Sequence, residues 1–249
     1  MAIKISGTTI IDNTKNIING VNANYTGIVT ATAFVGDGTN ITNTPSTGIG
    51  VSIYTSPGTF VVGTDCPSNV TTIKISCMGG GGNGGPTPGP GNRGGGGASV
   101  LGITTQPVSN GQSYSITVGG AAGISSVTLP TATPIDVILV PAGVSAPGST
   151  GTGAGGAGAP ITPAGADYVL VGFNGGNGAS PGSGIFYGYP GLGGLGGSSV
   201  LGKGGQCLTA AGNGNAATGY GAGGGGSYSP GSTNRTGGAG APGIVIIEW

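Results

Sequence analysis

The sequence predicts an all-β protein: a short N-terminal β-stalk segment, then a glycine-rich, β-sandwich-like domain carrying polyglycine segments of the polyproline II type. Three observations predict it. Sixty-two of 249 residues are glycine, concentrated in tracts at 79–97, 148–158, 172–197 and 212–243. The tracts alternate with short β-forming runs such as Thr72-Ile-Lys-Ile-Ser-Cys77 and the terminal Gly243-Ile-Val-Ile-Ile-Glu-Trp249. Only 12 residues are charged and mean hydropathy is +0.23, the opposite of a disordered composition. Glycine loses the most conformational freedom on ordering, so order here requires that the tracts find partners.

Composition also excludes several function classes. Six basic and six acidic residues leave no net charge, so the basic stripe of a nucleic-acid binder is missing. With no histidine, the commonest metal ligand, general base and near-neutral pH switch are absent together. Three cysteines, Cys66, Cys77 and Cys207, form no CxxC pair, which argues against a zinc site or a disulfide framework. A bridge between Cys66 and Cys77 stays open, but Cys77 ends an apolar strand pattern and reads as a small buried hydrophobe. Neither metal nor cofactor is expected. Residues 1–13 lack the apolar core of a secretory signal, and no stretch approaches the ~20 apolar residues of a spanning helix. Synthesis in a cytoplasm without membrane insertion is the expectation.

Residues 1–47 read as short strands, Ala2–Ser6, Thr9–Ile11 and Ile17–Ile18, separated by Gly7, Asp12-Asn13 and Asn19-Gly20 turns. Segments this short cannot close a core alone, so they are expected to pair with copies of themselves or with a partner. Residues 42–48 are linker-like, and a second domain is expected over 48–249. Within it, Val51–Tyr54 and Thr59–Val62 flank a Ser56-Pro-Gly58 turn, and Thr71–Met78 leads into the first glycine tract. Pro134–Val140 and Asp167–Val171 are further apolar runs. Gly97-Ala-Ser-Val-Leu-Gly102 returns as Ser198-Ser-Val-Leu-Gly202, without the fixed period of a solenoid.

A glycine run can adopt the left-handed polyproline II helix, whose peptide groups point outward and need partners from outside the segment. The strict G-X-Y period of collagen is absent, and so is the Gly-Lys-Ser/Thr of a phosphate-binding loop. Interrupted tracts returning between strands suit a bundle of short polyglycine segments beside a β-sandwich. Tracts 79–97 and 212–240 are expected to pack on each other through their amides. In the last strand, Ile244, Ile246 and Glu248 point one way and Val245, Ile247 and Trp249 the other. A strand apolar on both faces belongs inside a sheet, and Thr72–Met78 supplies the matching neighbour.

Catalytic machinery is not expected. Asp12, Asp37, Asp65, Asp136, Asp167 and Glu248 are scattered, whereas glycoside hydrolysis needs two carboxylates roughly 5–10 Å apart. Aromatic residues on glycine loops are the candidate contacts: Phe186, Tyr187 and Tyr189 in one loop, Tyr220 and Tyr228 in another. The same rings would serve equally to fill gaps between side-chain-poor segments.

Gly27-Ile-Val-Thr-Ala-Thr-Ala-Phe-Val-Gly-Asp-Gly-Thr-Asn-Ile-Thr42 resembles a segment recurrent in tail fibres of tailed phages, notably those infecting cyanobacteria. An ordinary β-hairpin is the alternative for those residues. The ordered series Tyr54–Phe60, Thr72–Gly82, Gly111–Gly120 and Gly237–Trp249 is similar to the glycine-rich C-terminal domain of such fibres. The runs within 124–172 depart from that pattern. The resemblance implies a homotrimeric virion protein, a short tail fibre or tail-tip adhesin. Residues 1–47 would then attach to tail or baseplate proteins, and the distal domain would bind a host surface polysaccharide or protein. A head fibre or capsid decoration protein is the alternative, and a polysaccharide depolymerase a more remote one.

Overall fold

The computed structural model describes residues 3–5, 8–11, 49–131, 135–147, 151–152, 154–158, 164–178 and 192–249. The chain divides into two compact units, 1–44 and 45–249. In the first, β1 (Ile3–Ile5) pairs antiparallel with β2 (Thr8–Ile11). The Ile17–Ile18 run and the 25–42 segment lie outside the described residues.

The second unit is all-β. Its strands are β3 (Val51–Tyr54), β4 (Gly58–Val61), β5 (Thr72–Met78), β6 (Gly91–Asn92), β7 (Leu101–Pro107), β8 (Ser113–Thr117) and β9 (Ser125–Leu129). There follow β10 (Ile135–Val140), β11 (Gly151–Thr152), β12 (Tyr168–Leu170), β13 (Gly202–Lys203), β14 (Thr218–Gly219), β15 (Tyr228–Ser229) and β16 (Ile244–Glu248). Two antiparallel sheets form the sandwich, one ordered β12-β7-β5-β16-β3 and the other β10-β9-β8-β4. The Ser56-Pro-Gly58 turn therefore passes the chain between sheets: β3 pairs with β16, and β4 with β8. The two apolar runs that depart from the fibre pattern become β10 and β12, each an outer strand of its sheet.

Alternation along the strands makes the core. Ile73, Ile75 and Cys77 of β5 face inward with Val245 and Ile247 of β16, against Phe60, Tyr114, Ile116, Val127 and Ile138 of the other sheet. The Phe60 ring lies 5.7 Å from Trp249 and 6.4 Å from Tyr114, tilted to both. Each large side chain so buried contributes ~1.5–3 kcal/mol. The closing strand sits inside its sheet, paired with β5 from Ile244↔Met78 to Glu248↔Lys74. Its outer face is covered at one end only. Ile244 packs with Met78 and Leu101 under Tyr220, while Glu248 at the other end pairs with Lys74 at 2.7 Å in the open.

All three cysteines are free thiols, so no bridge joins Cys66 to Cys77. Burial pushes the Cys77 thiol up to about 12, because a thiolate there would lose its water. A raised folded value keeps its full stability at low pH and loses it as pH climbs towards about 12. At pH 8 a maleimide should label half-exposed Cys207 in the native protein and leave Cys77 untouched until denaturant is added. Equal rates at the two thiols would contradict this packing.

Removing residues 244–249 takes away the strand between β5 and β3, together with the Phe60–Trp249 contact. Losses of ~1.5–3 kcal/mol for each of the buried Ile244, Val245 and Ile247 are then comparable with the ~5–15 kcal/mol stability of a typical domain. That truncation is expected to be insoluble or unfolded, whereas a 48–249 fragment should keep its β-type circular dichroism. A soluble, folded 1–243 chain would show that β16 is dispensable.

Candidate functional site

Beyond the sandwich the chain runs back and forth in ten extended segments among the described residues: 79–85, 93–99, 141–147, 154–158, 171–178, 192–199, 203–206, 212–217, 221–227 and 236–243. The 93–99 segment shows how they are held. Gly95 and Ala98 donate to the carbonyls of Gly176 and Phe173, Gly96 and Ser99 to Gly224 and Gly221, and Gly97 to Val144. In the other direction, Gly94 and Gly97 accept from Gly85 and Gly82, Arg93 and Gly96 from Gly194 and Gly197, and Gly95 from Gly156. All ten bonds measure 2.7–2.9 Å.

The same neighbour recurs every third residue. That is the signature of a helix with three residues per turn whose peptide groups radiate outward, the polyproline II geometry. Segment 93–99 thereby bonds to six others, and 221–227 likewise bonds to six, so the bundle has two central columns. A Cβ added at Gly94, Gly95, Gly96 or Gly97 would fall well inside 3.0 Å of a neighbouring carbonyl, of Ala154, Leu195, Gly82 or Ala157 in turn. The glycines there are a packing requirement.

The columns have two unlike ends. One continues into the sandwich. At the other the chain reverses through 86–92, 207–211 and 228–235, where side chains reappear. A three-stranded patch ordered β11-β6-β15 caps this end. Arg93 is fully buried in it, donating from Nε to the Pro86 carbonyl and from Nη1 to that of Asn92, both at 3.1 Å. Burial pushes its guanidinium below the ordinary arginine pKa. Ser227 Oγ bonds Gly85 O at 2.9 Å and meets Thr87 Oγ1 at 2.5 Å. Ser229 Oγ lies 2.9 and 2.8 Å from the carbonyl oxygens of Gly231 and Thr233, between which its one proton is shared, and this ties down the 229–233 turn. The loop end is thus a fixed platform.

The candidate aromatics divide. Phe186, Tyr187 and Tyr189 lie outside the described residues. Tyr220 is half-buried at the sandwich end, packed on the cluster of Met78, Leu101 and Ile244. Tyr228 is 5% exposed at the loop end, paired through its backbone with Asn92 and Gly212. At ~3.1 Å per residue the eight-residue step between them spans about 25 Å, so the structure does not bring them together.

What the sequence reading passed over is a cleft of about 470 Å³ at the loop end, lined by Pro86, Thr87, Pro88, Asn234, Arg235 and Thr236. Its floor is rigid: Thr87 and Arg235 exchange both backbone hydrogen bonds, at 2.7 and 2.8 Å. The available signal was Pro86-Thr-Pro-Gly-Pro90 and Thr233-Asn-Arg-Thr236, where proline or charge interrupts a glycine tract. A neighbouring cleft continues along the bundle past Asn83, Ser145 and Gly237.

The described acids hold structure together. Asp65 Oδ2 accepts from Val61 N at 2.6 Å, Asp167 Oδ2 from Thr104 Oγ1 and Thr105 N at 2.9 Å, and Asp136 from Thr128 Oγ1 at 3.2 Å. Among the described residues no cluster of His, Cys, Asp and Glu could hold a metal ion, and no helix is long and apolar enough to cross a membrane.

Sandwich and bundle together define a glycine-rich β domain that offers side chains at one end. A family described as a glycine-rich domain matches residues 55–249, and the chain belongs to it. No curated protein matches the chain in sequence.

Close approach makes a sharp prediction. Gly95→Ala and Gly81→Ala should each cost about 1–3 kcal/mol or more, and about 2–4 °C in Tm for each kcal/mol. Gly231→Ala, where an added Cβ meets nothing within 4 Å, should stay within about 0.5 kcal/mol of the parent. If the three variants melt alike, the columns are not packed as described.

Proposed function

We propose that the protein is a virion appendage, a short tail fibre or tail-tip adhesin exposed on the particle surface that binds a receptor on the host cell. The observation that carries this reading is the polarity of the bundle. Its hydrogen bonds hold a rigid column array, and contact-making side chains return where the chain reverses at the end away from the sandwich. A rigid platform binds without the ordering cost of a flexible loop. The fibre-like segment at 27–42 supports attachment to the particle through residues 1–47, and no described acid is free of a structural partner, which favours binding over hydrolysis.

The reading also expects a homotrimer. The short strands of 1–47 need partners, and the first strand beyond them supports self-association near that point. Ile49, Val51 and Ile53 are 93%, 57% and 60% exposed, and β3 is the outer strand of its sheet. Exposed apolar residues so grouped mark contact surfaces.

Two measurements test this. Antibody-gold should label the tails of particles, and the purified chain should coat host cells and block particle adsorption. Gold on the heads would establish the head-fibre alternative, and release of reducing sugar from envelope polysaccharide would establish the enzyme. Sedimentation at micromolar concentration should give three times 23.2 kDa; a species of single-chain mass alone would rule out the trimer.

A further inference from the structure

We infer that the Pro86–Arg235 cleft holds the anionic group, a carboxylate or a phosphate, of an acidic surface glycan. The inference rests on the adhesin reading and names the ligand class and the contacts. Its first support is a charge separation that the neutral total conceals. In the sandwich, Lys74 stands against Asp65, Asp136, Asp167 and Glu248, a balance of −3. The ten extended segments and the described loops that join them contain no Asp or Glu, while Arg93, Lys203 and Arg235 all belong to that part of the chain. Each described acid is already held by a partner inside the sandwich. Of these cations Arg93 and Arg235 lie at the loop end, where the described residues include no acid.

The second support is local. Arg235 Nε is buried and makes no hydrogen bond, although the residue as a whole is half-exposed. A buried donor without an acceptor is unfavourable, so no hydrogen bond at Nε holds the side chain in place, and the half-exposed guanidinium gains by turning toward an anionic oxygen in the cleft that it lines. Arg93, the other cation at this end, is sealed inside, and Lys203 belongs to β13 at the sandwich end. Arg235 is thus the cation that a ligand at the loop end can reach.

The third is the lining. Pro86 and Pro88 are exposed on either side of buried Thr87, giving two flat apolar faces on which a sugar ring can rest. Asn234 and Thr236 stand exposed on the opposite wall and offer an amide and a hydroxyl to sugar hydroxyls. A few polar groups set in an apolar, preformed cleft is the usual composition of a ligand site. The neighbouring cleft along 83–84 and 237–239 gives a longer chain room to continue.

The test titrates the full chain with tetragalacturonate, with a mannose 6-phosphate oligosaccharide and with neutral maltotetraose. At least one acidic probe should bind ten-fold or more tightly than the neutral one and weaken as salt is raised. The arm that binds identifies carboxylate or phosphate as the source. Arg235→Gln should reduce that binding at least ten-fold with an unchanged melting curve, since it breaks no internal hydrogen bond of Nε. Asn234→Asp should weaken it too, by placing an anion on the rim. Equal binding of the neutral probe, no binding of either acidic probe, or an Arg235→Gln variant that binds like the parent would overturn the assignment. Host-cell binding separates this from the broader reading. Parent and Arg235→Gln coating cells equally would reject the cleft and leave the adhesin standing. Acidic-probe binding by a parent that coats no cells would keep the cleft and reject the adhesin.

Discussion

Everything in the distal unit depends on how closely its backbones approach one another. Column 93–99 is hydrogen-bonded on six sides, and its four consecutive glycines have no space for a methyl group. Each bond contributes only about 0.5–1.5 kcal/mol net, while ordering a residue's backbone costs roughly 1–2 kcal/mol, so no column could stand alone. Two columns with six neighbours each make the array cooperative: a peptide group ordered for one contact is already placed for the next. The sequence consequence is the glycine content. The functional consequence is that the array's interior can carry no side-chain chemistry, which confines recognition to the places where the chain turns.

Glycine columns have no side chains to set their register, and two devices supply it. The first is covalent. β5 runs on into 79–85, 93–99 into β7, β10 into 141–147, and 236–243 into β16, so the ladder of the sandwich fixes where the columns start. The second is the scatter of polar residues inside the tracts. Asn83 Oδ1 accepts from Gly240 N at 2.9 Å, Ser145 Oγ accepts from Asn83 N at 2.9 Å, and Ser99 Oγ donates to Pro141 O at 2.9 Å. Asn177 Oδ1 accepts from Gly155 N at 2.8 Å. Each such bond is lost if a column slips by one residue. The interruptions that look like noise in the tracts are its alignment pins.

The same physics explains what was legible in advance. The alternation of Thr72–Met78 and the two-sided apolarity of Ile244–Trp249 show on the face of the sequence, and the two strands do pair. The bundle itself was readable as a class, because outward-pointing peptides in a polar-poor chain must find one another. Which column neighbours which was not readable. The three-residue periodicity lives in hydrogen bonds between identical glycines, so no residue type marks it. Local sequence misleads outright in one case. Val100 and Leu101 are buried where 93–99 enters β7, whereas Val200 and Leu201 in the same Ser-Val-Leu-Gly context are 47% and 41% exposed just before a two-residue ladder. The aromatics illustrate the limit for the site: Tyr220 and Tyr228 look alike in glycine loops, and only the fold shows them at opposite ends of one column. The cleft was invisible because its walls lie about 150 residues apart in the chain.

The distribution of charge carries the argument one step further. Inside the columns the absence of Asp and Glu needs no special account, since the glycine positions have no room for a side chain and an unpaired buried charge would be prohibitively unfavourable. The turns are different. The turns at 83–90, 207–211 and 228–235 accommodate Asn, Ser, Thr, Leu and Pro, and an aspartate would fit as well as an asparagine at exposed Asn83 or Asn234. Packing does not forbid acids at this end, yet the sequence places none in it and concentrates all four of the domain's acids in the sandwich. The distal unit is therefore a polar object, with its four acids in the sandwich and two of its four cations, Arg93 and Arg235, at the end where it turns outward. Such a separation lowers the free energy of approach to an anionic surface in one orientation and raises it in the other. A symmetric, uncharged glycine bundle would supply rigidity alone; the asymmetry supplies a direction.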